Sequence, residues 1–139
     1  LAPEQLQLEI TESVMLRNPE AAAATLEQLH QLGVSVAIDD FGTGYSSLSS
    51  LRRYPVEMLK VDRSFVANLP ADQEDTAIVK TIISLGKILN LKVTCEGVET
   101  AAHLALVREL GCDYAQGYYF AEPLPSEALA ELLAKNSRW

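Results

Sequence analysis

The sequence predicts an α/β fold, and more specifically part of a (β/α) barrel that carries only the later strand-helix units. Five short apolar segments alternate with segments of helical periodicity along the 139 residues, which gives units of about 28 residues each. Parallel strands need long crossover connections, usually helices, so the alternation predicts a parallel sheet covered by helices. Acidic residues follow four of the strands, and this second pattern favours a barrel.

The first unit combines a strand with a helix. Residues 5–10 alternate between polar and apolar side chains, which predicts a short strand that runs into a loop. Asn18 is a favourable N-cap and Pro19 suits the first helical position, so a helix is expected to begin there. Gly33 follows the apolar pattern of this helix and marks its end.

The next two units contain the most apolar strands. Residues 34–38 are mainly β-branched or apolar, as in a strand covered on both faces. This strand is predicted to end at a glycine-hinged loop, residues 39–44, and a short helix is predicted over residues 46–53. Residues 58–61 predict the following strand, which ends at Asp62.

The remaining units repeat this order. A helix is predicted over residues 74–89, a strand over 91–95, a helix over 101–110 and a short strand over 114–117. Ser126 is expected to cap a terminal helix. The apolar stripe of the 74–89 helix is formed by residues at helical spacing, namely Ile78, Ile82, Leu85 and Leu89.

Carboxylates at the strand ends decide between two kinds of parallel sheet. A doubly wound sheet concentrates its site at one switch point, whereas a TIM-type barrel builds its site from the carboxyl ends of several strands. The acidic residues at successive strand ends are Glu9, Asp39 or Asp40, Asp62 and Glu96. A complete barrel needs roughly 250 residues. We therefore expect an incomplete TIM-type barrel.

Composition excludes several classes of function. The chain has 11 Lys and Arg against 19 Asp and Glu, a net charge of -8, which argues against binding to a DNA or RNA polymer. Cys95 and Cys112 lie 17 positions apart without zinc-site spacing, so free thiols are expected. No apolar run approaches the roughly 18 to 20 residues of a membrane span. We expect a cytoplasmic location. If the parent chain has a membrane anchor, we expect that anchor in other domains.

Several carboxylates at one barrel mouth repel one another unless a cation lies between them. Oxygen ligands without clustered His or Cys favour Mg²⁺ or Mn²⁺, and the Asp39-Asp40 pair is the expected place for two bridged ions. Two ions about 3.5–4 Å apart suit hydrolysis of a phosphodiester. A single Asp at such a position would more often be a loop cap, but four acidic strand ends make coincidence a poor explanation.

Other polar residues near the predicted mouth allow two interpretations each. Lys60 and Asp62 point to the same side of a strand, so Lys60 either orients a water molecule or forms an internal ion pair with Asp62. Glu99 is either a catalytic group or a carboxylate at a helix start. Gln116 either contacts a ligand or is a hydrogen-bonded core amide. Glu12 is expected in a loop, where it holds the glycine-hinged segment.

The two histidines, His30 and His103, are expected at the solvated surface of their helices.

The residues alone thus indicate a metal-dependent phosphoester hydrolase. At the same residues the chain closely resembles the EAL family of cyclic di-GMP phosphodiesterases. The resemblance rests on five ordered motifs: LEITES at 8–13, IDDFGTGYSSL at 38–48, LKVDRSF at 59–65, CEGVET at 95–100, and QGYYF at 116–120 followed by Pro123-Leu124-Pro125.

The resemblance implies a TIM-type barrel that hydrolyses cyclic di-GMP to linear di-GMP with two Mg²⁺ or Mn²⁺ ions. It implies that Glu9 and Asp39 ligate one ion and that Asp39 bridges to a second ion held partly by Asp40. Lys60 would position the attacking water, and Glu96 would be a further active-site carboxylate.

The remaining motif positions have supporting roles in this resemblance. Glu12 would stabilise the loop at residues 39–45, and Gln116 would line the site. Asp62 and Glu99 match motif positions whose roles are less defined.

The chain departs from the family pattern in its first half. The Glu-Ala-Leu signature and an asparagine metal ligand belong to earlier strands and have no counterpart upstream of Leu1, whereas the triplet at residues 127–129 lies in the terminal helix. Cys95 stands where a small residue is common, and Glu122 where a basic one is common. We therefore expect residues 1–139 to be the carboxyl-terminal part of a single EAL-type barrel domain, inactive as an isolated fragment.

Two alternative functions remain open from the sequence. One is a non-catalytic cyclic di-GMP receptor or regulatory EAL-like module. The weaker one is another magnesium-dependent barrel enzyme that acts on an enolate. The expected partners are cyclic di-GMP, a second copy of the chain in a homodimer formed beside the glycine-hinged loop, and upstream sensory or cyclase domains.

Overall fold

One parallel sheet of five strands organises the described part of the chain. The computed structural model describes residues 1–44 and 51–135, without the side chain of Leu16. The strands follow one another across the sheet in chain order, namely β1 Gln7–Thr11, β2 Ser35–Phe41, β3 Met58–Val61, β4 Lys92–Cys95 and β5 Tyr114–Ala115. This sequential parallel order is that of consecutive units of a barrel. The predicted α/β class and incomplete barrel are confirmed.

Helices connect the strands. In chain order they are α1 Glu12–Arg17, α2 Pro19–Gln31, α3 Arg63–Val66, α4 Gln73–Leu89, α5 Ala101–Glu109 and α6 Ser126–Ala134, and a single 3-10 turn, Pro3–Gln5, precedes β1. None of the helices in residues 1–44 and 51–135 is long and apolar enough to span a membrane.

The alternation of strand side chains separates an apolar layer from a polar one. The hydrophobic core takes every second residue of the three central strands, namely Val36, Ile38, Leu59, Val61, Val93 and Cys95. These side chains pack with the helices, for example with Leu26 of α2 and Val107 of α5. The intervening positions, such as Lys60 and Thr94, face the opposite side of the sheet. That opposite side corresponds to a barrel interior.

The end of β2 differs from the prediction. The strand does not stop before Asp39 but continues through Asp40 to Phe41. Thr11 of β1 still pairs with Asp39, while the register with β3 shifts between Ile38 and Phe41. Asp40 has a φ of 53°, a left-handed conformation that costs free energy for a residue other than glycine. The irregularity lets two consecutive carboxylates occupy the strand end.

Two short helices, α1 and α3, were not expected. The loop predicted to hold Glu12 is instead α1, with Glu12 as its first residue and with Met15 buried. Asp62 caps α3 by accepting a hydrogen bond of 2.9 Å from the backbone N–H of Ser64. Both helices have six residues or fewer, which is too short for a hydrophobic periodicity to be recognised.

Other boundaries need smaller corrections. Asn18 caps α2 as predicted, and its side chain accepts from the Ala21 N–H. Ser126 is the first residue of α6 rather than its cap, which is Pro125. The helix predicted over residues 46–53 lies largely outside the described residues.

The apolar face of α4 matches the prediction at Ile82, Leu85 and Leu89, which pack on the core, but not at Ile78. Its buried residues are Val79, Ile82, Ile83 and Gly86, and the prediction for Ile78 is wrong because this side chain is exposed. A Cβ on Gly86 would collide with the side chain of Val93, so a glycine allows close approach of α4 to β4. The prediction for His103 is also wrong, since this side chain is buried and its Nδ1 accepts from the Glu99 N–H.

Candidate active site

Lys60 is the centre of an ion-pair cluster at the carboxyl end of the sheet. Its Nζ atom lies 2.7 Å from Oε2 of Glu9, 2.7 Å from Oε1 of Glu96 and 3.1 Å from Oδ1 of Asp39. The lysine side chain is only 6% exposed, whereas those of Glu9, Asp39 and Glu96 are 46%, 25% and 19% exposed. The cluster thus joins four neighbouring strands or strand ends through one buried ammonium group.

The backbone explains why these residues meet. Lys60 is opposite Thr94 in the register of β3 and β4, and Glu96 follows Thr94 by two residues, so both point to the same side as Lys60. Asp39 lies near the end of β2, where it is opposite Thr11. Parallel strands end at one edge of their sheet, which brings side chains from distant parts of the sequence together.

Three carboxylates in this region are spaced like metal ligands. Asp39, Asp40 and Glu96 each offer an oxygen atom, and these oxygens lie within 4.8 Å of one another. All three residues are part-buried. Oδ1 of Asp39 has no hydrogen bond of good geometry in the described residues, although it is within ion-pair distance of Lys60. An oxygen in this state retains a lone pair for a further cation.

The pKa shifts follow the local charges. Burial opposes the charged form of Lys60, but the interactions with its three carboxylate partners outweigh burial and raise the pKa of the ammonium group. Burial raises the pKa of Asp40, and the neighbouring carboxylates of Asp39 and Asp62 raise it further. Burial also opposes ionisation of Asp62, but hydrogen bonds from Ser64 outweigh it and lower the Asp62 pKa.

The charges of the cluster do not balance. Glu9, Asp39, Asp40 and Glu96 carry four negative charges when ionised, and Lys60 carries one positive charge, which leaves a difference of three. After burial, repulsion from Asp39 within this set is a further cause of the raised pKa of Asp40. Divalent cations bound by oxygen ligands would balance the excess of negative charge, and the donor set contains only oxygen atoms, as Mg²⁺ and Mn²⁺ prefer. The residues present therefore fit a divalent metal site.

The ion pair between Lys60 and Asp62, one of the two interpretations of this spacing, does not form. Asp62 Oδ1 instead accepts from the backbone N–H and the hydroxyl of Ser64. The carboxylate of Asp62 lies close enough to Asp40 to raise the Asp40 pKa, so Ser64 positions Asp62 beside a candidate metal ligand. Ser64 is not among the residues predicted for the site, although an Asp followed two residues later by Ser at a helix start is a recognisable capping pattern.

Glu12 lies behind the glycine-hinged segment. The side chain is buried, with 3% exposure, and neither carboxylate oxygen has a hydrogen-bond partner in residues 1–44 or 51–135. A Cβ atom added to Gly44 would lie 2.7 Å from Oε1 of Glu12. The Glu12 carboxylate therefore packs directly against the backbone of Gly44, and only glycine allows this approach.

Glu99 and Gln116 stand apart from the ion-pair cluster. The Gln116 side chain is exposed, although its backbone N–H donates to Cys95 O at 2.9 Å and so places the residue next to the end of β4. Glu99 is exposed, and it precedes Thr100, the N-cap of α5. The structure thus brings together the carboxylates around Lys60 with Asp62 beside them, but not these two residues.

The sequence model of the EAL domain family matches residues 1–123 of the chain. The chain belongs to the EAL domain family. The cyclic di-GMP phosphodiesterase NbdA of Pseudomonas aeruginosa is 52% identical over 128 residues, which cover 92% of this chain and 16% of NbdA. MucR of the same organism, a bifunctional diguanylate cyclase and cyclic di-GMP phosphodiesterase, is 48% identical over 96% of this chain and 20% of MucR.

Solved EAL structures have the same fold as this chain. The MucR phosphodiesterase in complex with cyclic di-GMP matches with a TM-score of 0.90 and 49% identity, over 93% of this chain and 52% of that one. The Klebsiella pneumoniae BlrP1 manganese/cyclic di-GMP complex matches with a TM-score of 0.83 and 33% identity, over 88% of this chain and 31% of that one. The chain therefore spans about half of the solved MucR chain and a fifth or less of the curated relatives.

Proposed function

We propose that the protein to which these residues belong hydrolyses cyclic di-GMP to linear di-GMP. The observation that carries the proposal is the buried Lys60 ammonium with carboxylates from neighbouring strand ends and an excess of negative charge. Such a site suits an anionic phosphodiester only if cations lie between the carboxylates and the phosphate. The relatives NbdA and MucR are cyclic di-GMP phosphodiesterases, which supports this choice of substrate.

We assign two divalent ions, Mg²⁺ or Mn²⁺, to the cluster. Glu9 and Asp39 would hold one ion, with Asp39 shared with a second ion held partly by Asp40. When bound, such ions provide Lewis acidity at a phosphate oxygen and make water a stronger nucleophile. The manganese/cyclic di-GMP complex of BlrP1 supports this metal class.

The protein side chains orient the reactants. In this proposal the Nζ atom of Lys60 donates a hydrogen bond to the attacking water and is held in place by Glu96. Its raised pKa keeps it charged, so it also offsets negative charge that develops on the phosphate. Glu12 fixes the backbone at Gly44, and Gln116 would reach the ligand from the end of β5. Asp62 positions Asp40. Glu99 has no catalytic role in this proposal and is a carboxylate next to the start of α5.

We further infer that residues 1–139 are the carboxyl-terminal part of one EAL barrel domain and that this part is inactive alone. The glutamate of the Glu-Ala-Leu signature and the asparagine ligand come from earlier strands in the family pattern. A cytoplasmic location, a homodimer and upstream sensory or cyclase domains belong to the same proposal. The presence of both activities in MucR supports the cyclase domain.

The test is a hydrolysis assay with cyclic di-GMP, run on the longest natural chain that contains these residues and on the 139-residue chain. Mg²⁺, Mn²⁺ and a chelator are compared, and linear di-GMP is measured by chromatography. Chelator-sensitive hydrolysis by the long chain alone supports the proposal. Binding without hydrolysis in both chains contradicts the enzyme and indicates a receptor, and metal-independent turnover contradicts the metal assignment.

A further inference from the structure

Two cysteine thiols are in contact directly behind the candidate active site. The Sγ atoms of Cys95 and Cys112 are 3.4 Å apart, although 17 positions separate the residues in the sequence. Cys95 is the last residue of β4 and immediately precedes Glu96, and its side chain is fully buried. Cys112 lies in the connection between α5 and β5 and is part-buried. The fold therefore creates a thiol pair that the sequence spacing did not indicate.

The pair lies on the helix side of the sheet. Cys95 belongs to the apolar core, and the next residue, Glu96, faces the other side and contacts Lys60. The thiol of Cys112 is held near two backbone carbonyl oxygens, at 3.3 Å from Val93 O and 3.2 Å from Tyr114 O. A disulfide has a sulfur separation of about 2.05 Å, so the two sulfur atoms need to approach by only about 1.3 Å.

Access to the two thiols is unequal. Cys112 lines an open cavity of about 370 Å³, together with Asp113, Tyr114 and Phe120, whereas Cys95 does not reach this cavity. An oxidant from solvent therefore meets the Cys112 sulfur first, and Cys95 is placed to react with it afterwards, as in pairs that contain one attacking and one resolving cysteine.

We propose that Cys95 and Cys112 form a reversible redox site that hydrogen peroxide converts to an intramolecular disulfide. The thiolate of Cys112 attacks one peroxide oxygen, the O–O bond breaks, and Cys112 becomes a sulfenic acid while hydroxide leaves and takes up a proton as water. The sulfur of Cys95 then attacks the sulfenic sulfur, the S–O bond breaks, and the departing hydroxide takes up the proton of the Cys95 thiol and leaves as a second water. The two thiols lose two electrons in total, and the peroxide gains them.

The disulfide would act on the neighbouring site through the backbone. It ties the end of β4 to the α5–β5 connection, and any movement of Cys95 is transmitted to Glu96, which contacts Lys60 at 2.7 Å. Displacements below 1 Å at a catalytic group are sufficient to slow a reaction. This second step rests on the proposed phosphodiesterase function, whereas formation of the disulfide does not.

The first experiment measures the disulfide itself. The natural chain is treated with hydrogen peroxide, remaining thiols are blocked with iodoacetamide, and proteolytic peptides are analysed by mass spectrometry. We expect a Cys95–Cys112 cross-linked peptide, about 2 Da lighter than the two reduced peptides together, that dithiothreitol removes. Both cysteines alkylated after peroxide, or Cys112 oxidised to sulfinic acid without a cross-link, would overturn the proposal.

Two variants assign the roles of the thiols. In Cys95→Ala, peroxide should leave Cys112 as a sulfenic acid that dimedone traps, since no resolving thiol is present. Absence of the adduct would contradict Cys112 as the attacking thiol. Cys112→Ser keeps the size of the side chain and should give no oxidation at Cys95, because that thiol is buried.

The coupling to the site is measured separately. Peroxide should lower cyclic di-GMP hydrolysis at least about threefold in the wild type, with recovery in dithiothreitol, and leave Cys112→Ser unchanged. A cross-linked protein with full activity would contradict the coupling to Glu96. A chain that forms the cross-link and hydrolyses no cyclic di-GMP in either redox state would contradict the proposed function while it supports the redox site.

Discussion

Strand β4 has a lysine-carboxylate arrangement near each end, and the two arrangements differ in burial and in the number of partners. At the start of the strand, Lys92 pairs with Asp113 at 2.7 Å, and the lysine side chain is 60% exposed. Just beyond the other end, Glu96 pairs with Lys60, which is 6% exposed and also contacts Glu9 and Asp39. The chemistry of the groups is the same, but their surroundings are not.

The difference in burial and in the number of partners distinguishes a surface ion pair from a candidate active site. An exposed pair is screened by water and salt and contributes little to folding. A buried ammonium with several carboxylates costs desolvation, and apolar residues of similar volume would fill the same space at lower cost. Charges that are expensive to bury are typical of functional sites, because catalysis needs groups held in place before the reaction. We therefore attribute the Lys60 cluster to the proposed function.

The largest expected effect comes from removal of the central cation. In Lys60→Met, three carboxylates lose their shared partner, so we expect stability to fall by about 3 to 5 kcal/mol and cyclic di-GMP hydrolysis to fall at least about 100-fold. Urea unfolding and initial rates measure the two effects. Lys92→Met is the matched control at the exposed pair. An equal loss of stability in the two variants would contradict the distinction between the buried Lys60 cluster and the exposed pair.

The next effect concerns Asp39, which contacts Lys60 and directly precedes Asp40 in β2. Asp39→Asn keeps the shape of the side chain but removes a charged metal ligand, so hydrolysis should fall about 100-fold or more with the fold retained. Circular dichroism confirms the fold, and initial rates give the loss. Asp113→Asn makes the same chemical change at the exposed pair and should keep nearly full activity. Full activity of Asp39→Asn would refute the metal assignment.

A smaller effect is expected behind the site. Gly44→Ala places a methyl group against Oε1 of Glu12, at 2.7 Å before any adjustment, so the loop or Glu12 must shift. We expect roughly a tenfold loss of hydrolysis with little change in unfolding midpoint. Ser13→Ala, at an exposed position next to Glu12 in α1, provides the comparison and should keep wild-type rates. If Gly44→Ala retains wild-type rates, the contact with Glu12 does not set the loop position.

The smallest effect tests the exposed pair by its pH dependence. The hydrogen bond and charge of Lys92 lower the pKa of Asp113, and Asp113 raises the pKa of Lys92. The Asp113 contribution to stability is therefore present above its unfolded pKa of about 3.9 and is lost as pH falls through its lower folded pKa. The Lys92 contribution is present below its unfolded pKa of about 10.4 and is lost as pH rises through its higher folded pKa.

The measurement compares unfolding midpoints of wild type and Asp113→Asn across pH and salt. The difference should be small at pH 7, shrink further in high salt, and vanish in acid below the folded pKa of Asp113. A difference that is independent of both pH and salt would show that Asp113 acts through its backbone contact, in which it accepts from the Val93 N–H at 3.0 Å.

The sequence was sufficient for the sheet but not for the details of its edge. Strand periodicity and helix signals such as Asn18-Pro19 are local, so they predict the order of elements. The partners of Lys60 are not local, because they depend on the register of three strand pairs. The left-handed conformation of Asp40 is likewise imposed by packing at the end of β2, against the preference of the residue.

Two further misses have the same cause. His103 has the sequence context of a surface residue, but it lies on the face of α5 that also buries Leu104 and Val107, so its side chain is buried. Cys95 and Cys112 have no motif spacing, and only the pairing of β5 with β4, just after Cys112, brings their sulfur atoms to 3.4 Å. Burial and pairing across elements are properties of the fold, which local patterns do not contain.

Mn²⁺ binding tests the central claim most directly, since it is independent of turnover. Electron paramagnetic resonance measures the Mn²⁺ bound by the natural chain in the wild type, in Asp39→Asn and in Asp113→Asn. The Lys60 cluster predicts that the wild type and Asp113→Asn bind Mn²⁺ equally and that Asp39→Asn loses most of this binding. Equal Mn²⁺ binding by all three proteins would contradict a metal site at this end of the sheet.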